Sequence, residues 1–160
     1  MKNFKPQPGF ESLLEKAKGF CAYRERSIAE VRRKMKGWGA PYSLEQRVVK
    51  ALEEENFLND ARFAQSFVRG KFRTNKWGKK KIRAALHASG IGDTLIREAF
   101  LEIDSEQYAE VAKNLAEKKM KVLSKEPDSY SRKAKLFQYL AQKGFETELI
   151  SKICAEFSAD

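Results

Sequence analysis

Ile82-Arg83-Ala84-Ala85-Leu86-His87-Ala88-Ser89-Gly90 is the stretch on which the fold turns. Ile82 and Leu86 stand one helical turn apart, and Gly90 follows one turn later, where glycine stops a helix. The same spacing occurs as Val31-x3-Met35-x3-Gly39 upstream and as Leu136-x3-Leu140-x3-Gly144 downstream. Beyond each glycine a second helix carries paired apolar residues, Val48-Val49, Leu95-Ile96 and Leu149-Ile150. Gly39 to Gly90 is 51 residues and Gly90 to Gly144 is 54, so the repeating unit is a three-helix module. Pro41 lies in the turn of the first copy, which is expected to be longer than the other two.

Reading outward, apolar residues recur at helical spacing along the whole chain and nowhere with a sustained period of two. The expected fold is therefore all-α, with three tandem three-helix repeats at 9–57, 58–103 and 105–158. Small modules bury little alone, so they should stack into an elongated, curved array. The first helix is expected from Gly9 to Tyr23. Ser27 and Glu30 form a capping box for the second, and a third starts near Ser43. Asp60 is expected to cap the fourth helix, Ser105 the seventh and Thr147 the ninth. The fifth should span Gly78 to Ser89, and the sixth should follow Asp93.

Composition removes several classes. Of the 160 residues 42% are hydrophobic and 11% aromatic, enough for a core despite 34% charged residues. Apolar runs are only a few residues long, so no membrane span is expected. Residues 1–10, MKNFKPQPGF, lack the apolar region of a secretory signal, which points to a cytoplasmic location. Cys21 and Cys154 form no CxxC unit and read as packing thiols. His87 has no second histidine to share a metal with and reads as a surface residue. There is no phosphate-binding glycine loop, no H-E-x-x-H and no nucleophile elbow. Glu53, Glu54 and Glu55 are consecutive on a helix and point about 100° apart, so they cannot share one ion well. No catalytic, metal or cofactor site is expected.

Charge is the positive signal. Lys and Arg number 32 against 22 Asp and Glu, a formal net charge of +10 that favours a polyanionic partner. Residues 69–83, RGKFRTNKWGKKKIR, hold eight bases and no acid: Arg69, Lys71, Arg73, Lys76, Lys79, Lys80, Lys81 and Arg83. Lys79, Lys80, Arg83 and His87 fall on a helix face away from Ile82, Ala85 and Leu86. A shorter cluster, Arg32, Arg33, Lys34 and Lys36, occupies the equivalent helix of the first module. Phe72 and Trp77 interrupt the middle cluster. They are read as packing between helices rather than as platforms for bases.

Three segments carry a family resemblance. They are Tyr23-Arg24-Glu25-Arg26-Ser27-x-x-Glu30-Val31-x-x-Lys34-Met35, then Phe57-Leu58-Asn59-Asp60-x-Arg62-Phe63-Ala64, then Lys76-Trp77-Gly78 with Ile82, Leu86 and Gly90-Ile91. Together they resemble the RecX family of recombination regulators, most closely from Tyr23 to Phe100 and loosely in the third module. The resemblance implies a bacterial cytoplasmic protein of three three-helix repeats. It also implies a protein that binds the RecA recombinase filament in its helical groove and modulates ATPase and strand exchange, usually by inhibition. The family motif positions are Arg24, Arg26, Ser27, Asp60, Arg62, Phe63 and Gly78. Met35 stands where leucine is more usual, a swap that conserves volume.

The expected function is a non-enzymatic, monomeric regulator of RecA that contacts the filament and its DNA, single-stranded rather than duplex. Its candidate contacts are Arg24, Arg26, Arg32, Lys36, Arg62, Arg69, Arg73, Lys76, Lys79, Lys80 and Arg83. The rival reading is a free-standing binder of single-stranded nucleic acid with no recombinase partner.

Overall fold

The computed structural model of the chain describes residues 8–157. The first seven residues, read above for a signal, and residue 158, the far bound of the third expected repeat, lie outside the described residues. Along the described chain run α1 (Phe10–Tyr23), α2 (Ile28–Gly37), α3 (Tyr42–Glu54), α4 (Asp60–Arg73) and α5 (Lys79–Ala88). They are followed by α6 (Asp93–Phe100), α7 (Ser105–Val122), a 3-10 turn (Leu123–Lys125), α8 (Ser129–Lys143) and α9 (Thr147–Glu156). Among the described residues there is no strand.

The repeat seen in the sequence recurs as hydrogen bonds. Gly39, Gly90 and Gly144 adopt φ of +84°, +80° and +99°, a left-handed conformation that glycine enters without the Cβ penalty. Each glycine N–H donates three residues back, to the carbonyls of Lys36, His87 and Ala141. The next residue, Ala40, Ile91 or Phe145, donates to the carbonyl of Met35, Leu86 or Leu140 at 3.0–3.2 Å. Those three acceptor residues are fully buried, as are their partners one turn earlier, Ile82 and Leu136, with Val31 only 1% exposed. The chain reversal and the core contact are thus one local unit, built three times.

Helices α1, α2 and α3 pack on one another, as do α4 to α6 and α7 to α9. Every hydrogen bond between these units, among the described residues, joins first to second or second to third. The repeats are therefore strung in chain order. The core is less symmetric. Leu13, Val31, Met35, Val48, Leu52 and Leu58 close one cluster around the first unit, whereas a single cluster runs from Phe63 through Ile82 and Tyr108 to Ile153.

Three expected caps move by one residue. Asn59, not Asp60, caps α4 by accepting the Arg62 N–H at 3.0 Å. Asp104, not Ser105, caps α7 through the Gln107 N–H. Glu146, not Thr147, occupies the cap of α9. Each site holds two consecutive polar residues, and the earlier one takes the cap. Asp60 is released to accept the Ile28 N–H at 2.8 Å, and the Glu146 side chain, which caps no N–H of α9, accepts from Tyr108 at 2.7 Å. The Ser27–Glu30 capping box of α2 forms as expected, with Ser27 fully buried.

Candidate functional site

The middle basic run passes from the end of α4 into the N-terminus of α5, an end with no side-chain cap because its cap residue is Gly78. The third repeat supplies the missing acceptors. Gly78 N–H donates to the Lys143 carbonyl at 2.7 Å, Lys79 N–H to the Tyr108 hydroxyl at 2.9 Å, and Lys80 N–H to the Gly144 carbonyl at 2.9 Å. Tyr108 donates its own O–H to Glu146. Burial holds the phenol far above its ordinary range, and Glu146 adds to that, so Tyr108 stays a donor. With these amides occupied, α5 cannot hold an anion by its helix terminus; an anion must be met by side chains.

The side chains suit that task. Lys79, Lys80 and Lys81 fill the first turn of α5, which carries no acid, although the helix dipole makes cations there unfavourable by about 0.3–1 kcal/mol each. Arg73, Lys76, Lys80, Lys81 and Arg83 are exposed. Among the described residues only Arg69 of the eight bases sits in an ion pair, with Glu102 at 3.2 Å. Lys79 lies 4.8 Å from the centre of the Tyr108 ring and Arg83 5.2 Å from that of Phe100. Phe72 is buried against Tyr108, and half-buried Trp77 packs on the core with Lys71 and Lys81 over its ring. The aromatic interleaving is packing, and the run offers charge rather than stacking platforms. Lys143 joins it from the third repeat by donating to the Asn75 carbonyl, a neighbour 68 residues away that no local pattern announces.

The candidates in the first two repeats divide differently. Arg26 donates to the Phe20 carbonyl and lies 3.9 Å from that ring's centre, which fixes the link between α1 and α2. Arg62 bonds Glu25 at 2.7 Å and the Asn56 carbonyl at 3.1 Å, tying the second repeat to the first. Arg32 faces Glu45 at 3.9 Å; Glu45 is 2% exposed, and neither Arg32 Nε nor Glu45 Oε2 has a hydrogen-bond partner. Arg24, half exposed, sits 3.5 Å from Glu30, and Lys36 is exposed on α2. The eleven candidates therefore do not converge on one spot: Arg73, Lys76, Lys79, Lys80 and Arg83 follow one another from the end of α4 into α5, while Arg26 and Arg62 serve internal joints.

His87 is exposed, with Nε2 3.0 Å from Asp93. Burial raises the pKa of both Cys21 and Cys154, which keeps them as thiols rather than nucleophilic thiolates. Among the described residues no cluster of three or more metal-binding side chains occurs, and no helix is long and apolar enough to cross a membrane.

Residues 59–99 match the family model described as the RecX second three-helix domain, and residues 105–154 match that of the third. These segments are α4 to α6 and α7 to α9. A protein named Regulatory protein RecX from Prosthecochloris aestuarii is 34% identical over 143 residues, which span 89% of this chain and 91% of that protein. The chain belongs to the RecX family. A second Regulatory protein RecX, from Clostridium beijerinckii, is 34% identical over 81% of this chain, which spans only 61% of the length of that relative. The crystal structure of RecX from Lactobacillus salivarius superposes with a TM-score of 0.84, covering 94% of this chain and 97% of that one at 24% identity, so it speaks for the fold. A crystal structure of regulatory protein RecX gives 0.77 at 28% identity over 90% of this chain and 72% of that one. The third repeat, loosely matched by motif alone, thus has its own family counterpart.

Proposed function

We propose that this chain is a non-enzymatic regulator of a RecA-type recombinase, working in the cytoplasm as a monomer without a cofactor. It binds the recombinase–DNA filament and restrains its ATP turnover and strand exchange. The observation that carries this reading is the acid-free run from Arg73 to Arg83, in which Lys79, Lys80 and Lys81 stand in the first turn of α5 against its dipole and, among the described residues, none of the run has a carboxylate within ion-pair distance. Such residues cost the fold stability and serve something outside it. A row of repeats laid along a filament would bridge neighbouring subunits and disfavour the rearrangements coupled to ATP hydrolysis.

The test is recombinase ATPase on single-stranded DNA, with and without this protein. A fall in turnover at near-stoichiometric protein, even on DNA already coated, supports the regulator. An effect abolished by excess bare DNA supports a simple single-strand binder, for which the same unpaired bases would suffice. Lys80→Glu together with Arg83→Glu should weaken binding to single-stranded DNA and flatten the salt slope by roughly 1.4, at about 0.7 per phosphate contact. The melting temperature should change little, because an acid at position 80 favours the start of α5 while the loss of Arg83 from the Phe100 ring opposes it. Unchanged affinity for both DNA and filament would make the run a merely solvated face.

A further inference from the structure

Three adjoining clefts share Arg24 and together cross the joint between the first and second repeats. The largest, about 520 Å³, lies along α4 and is lined by Ser66, Phe67, Gly70, Lys71 and Thr74. The next, about 310 Å³, lies along α2 and is lined by Phe20, Arg33, Lys34 and Gly37. Each half presents the same pair, a lysine above a phenylalanine: Lys34 lies 5.6 Å from the Phe20 ring centre and Lys71 5.5 Å from that of Phe67.

The charges of this trough are mixed but unequally engaged. Glu25 is held by Arg62 at 2.7 Å. Glu30 is occupied by the Ser27 N–H at 3.0 Å and lies 3.5 Å from Arg24. Among the described residues, Arg33, Lys34 and Lys71 have no carboxylate within ion-pair distance, so three cations are available to a ligand.

Two glycines give a second, separate indication. Gly70 lies inside α4 and Gly37 ends α2, and a Cβ at either would meet nothing within 4 Å. Internal packing therefore requires neither, yet a glycine inside a helix, as Gly70 is, costs stability relative to alanine. Both face the clefts, where the missing side chain leaves room for something to approach the backbone.

We infer that this trough binds an extended acidic peptide segment of a partner protein, its carboxylates meeting Arg33, Lys34 and Lys71 and its apolar residues meeting Phe20 and Phe67. A peptide suits the trough better than a nucleic-acid strand. Glu25 and Glu30 lie among the cations and would repel a backbone charged at every step, whereas a peptide can set a neutral residue opposite them. The acid-free run at Arg73 to Arg83 is the surface shaped for phosphates. The inference stands apart from the recombinase reading, which its test leaves untouched.

The test follows backbone amide resonances of the full chain on titration with a random glutamate–tyrosine copolymer, beside oligodeoxythymidylate. The expected result is copolymer-induced shifts at Gly37, Ser66, Gly70 and Thr74. Arg33→Glu with Lys71→Glu should weaken the copolymer roughly tenfold or more. Gly70→Leu, filling the trough without reversing charge, should weaken it likewise. Gly19→Ala, in α1 and outside the clefts, should raise the melting temperature and leave affinity intact. Failure of the copolymer to bind, shifts confined to residues 76–83, or oligodeoxythymidylate shifting the trough amides as strongly would each overturn the assignment.

Discussion

The two joints between repeats solve one problem with different chemistry. In both, the middle helix of one repeat has its N-terminus completed by the next repeat: α2 by the Asp60 carboxylate, α5 by Tyr108 and two carbonyls at the end of α8. At the first joint the contact is made by side chains, Asp60 to Ile28 and Arg62 to Glu25, and the hydrophobic clusters on its two sides stay separate. At the second, main chain meets main chain and one cluster runs through. A joint of side chains can re-form at a slightly different angle, whereas a joint of backbone carbonyls and a shared core resists it. The first repeat is thus the part of the array most free to adjust against a partner.

The contrast is most easily broken at Gly78. A Cβ there would collide with the backbone of Gly144 and Phe145, which cannot rotate away as a side chain can. Gly78→Ala should therefore cost roughly 3 kcal/mol or more in urea denaturation and loosen the third repeat. At the first joint, Gly90→Ala brings its Cβ to 2.6 Å from the Ala29 Cβ and must hold φ near +80°. About 1–3 kcal/mol is expected there, part of it left-handed strain. Equal losses at the two glycines would contradict the difference in stiffness.

Tyr108→Phe comes next. It leaves the Lys79 N–H and Glu146 without their shared partner in a half-buried place, so about 1–3 kcal/mol should be lost. Amide exchange should quicken at Lys79 and Lys80 before it quickens in α2.

At the first joint, Asp60→Ala should cost about 1–2 kcal/mol by orphaning the Ile28 N–H. Asp60→Asn keeps an oxygen acceptor and removes a buried charge. Burial is the main cause of the raised Asp60 pKa, with the Ile28 N–H opposing it and Glu30 adding to it. The folded state therefore penalises the carboxylate, and that penalty is lifted as pH falls through the raised value towards 3.8. Any stability advantage of the Asp60→Asn variant over the native protein at neutral pH should shrink in acid. An advantage that grew would reverse the sign of the argument.

What the sequence made legible follows from range. The turns at Gly39, Gly90 and Gly144 involve residues within one helical turn of each other, so spacing alone was sufficient. The same holds for the Ser27–Glu30 box and for the inward faces of α2, α5 and α8. Asp60 looked like a cap for its own helix because its true donor, Ile28, is 32 residues away. Nothing local marks Tyr108 as the acceptor for α5, since neither Lys79 nor Glu146 is near it in the chain. The basic run was visible as composition, but which of its members would be drawn over aromatic rings depended on Phe100 and Tyr108 arriving from other helices. The candidate list was least informative where an arginine could equally be a joint or a contact.

Arg62 is the sharpest such case and the smallest expected effect on stability. Its bond to Glu25 is short, yet both side chains are more than a third exposed, 38% and 34%, and water screens the pair. A double-mutant cycle of Arg62→Ala and Glu25→Ala in urea should return at most about 1 kcal/mol of coupling, falling as salt is added. Under the proposed function, affinity for the recombinase filament distinguishes the two roles. If Arg62 only ties the repeats together, Glu25→Ala should weaken filament binding about as much as Arg62→Ala, because either substitution breaks the tie. If Arg62 is itself a contact, removing Glu25 frees its guanidinium and should preserve or strengthen binding, while Arg62→Ala weakens it. A large coupling energy in the cycle would instead mean that the first joint is as rigid as the second.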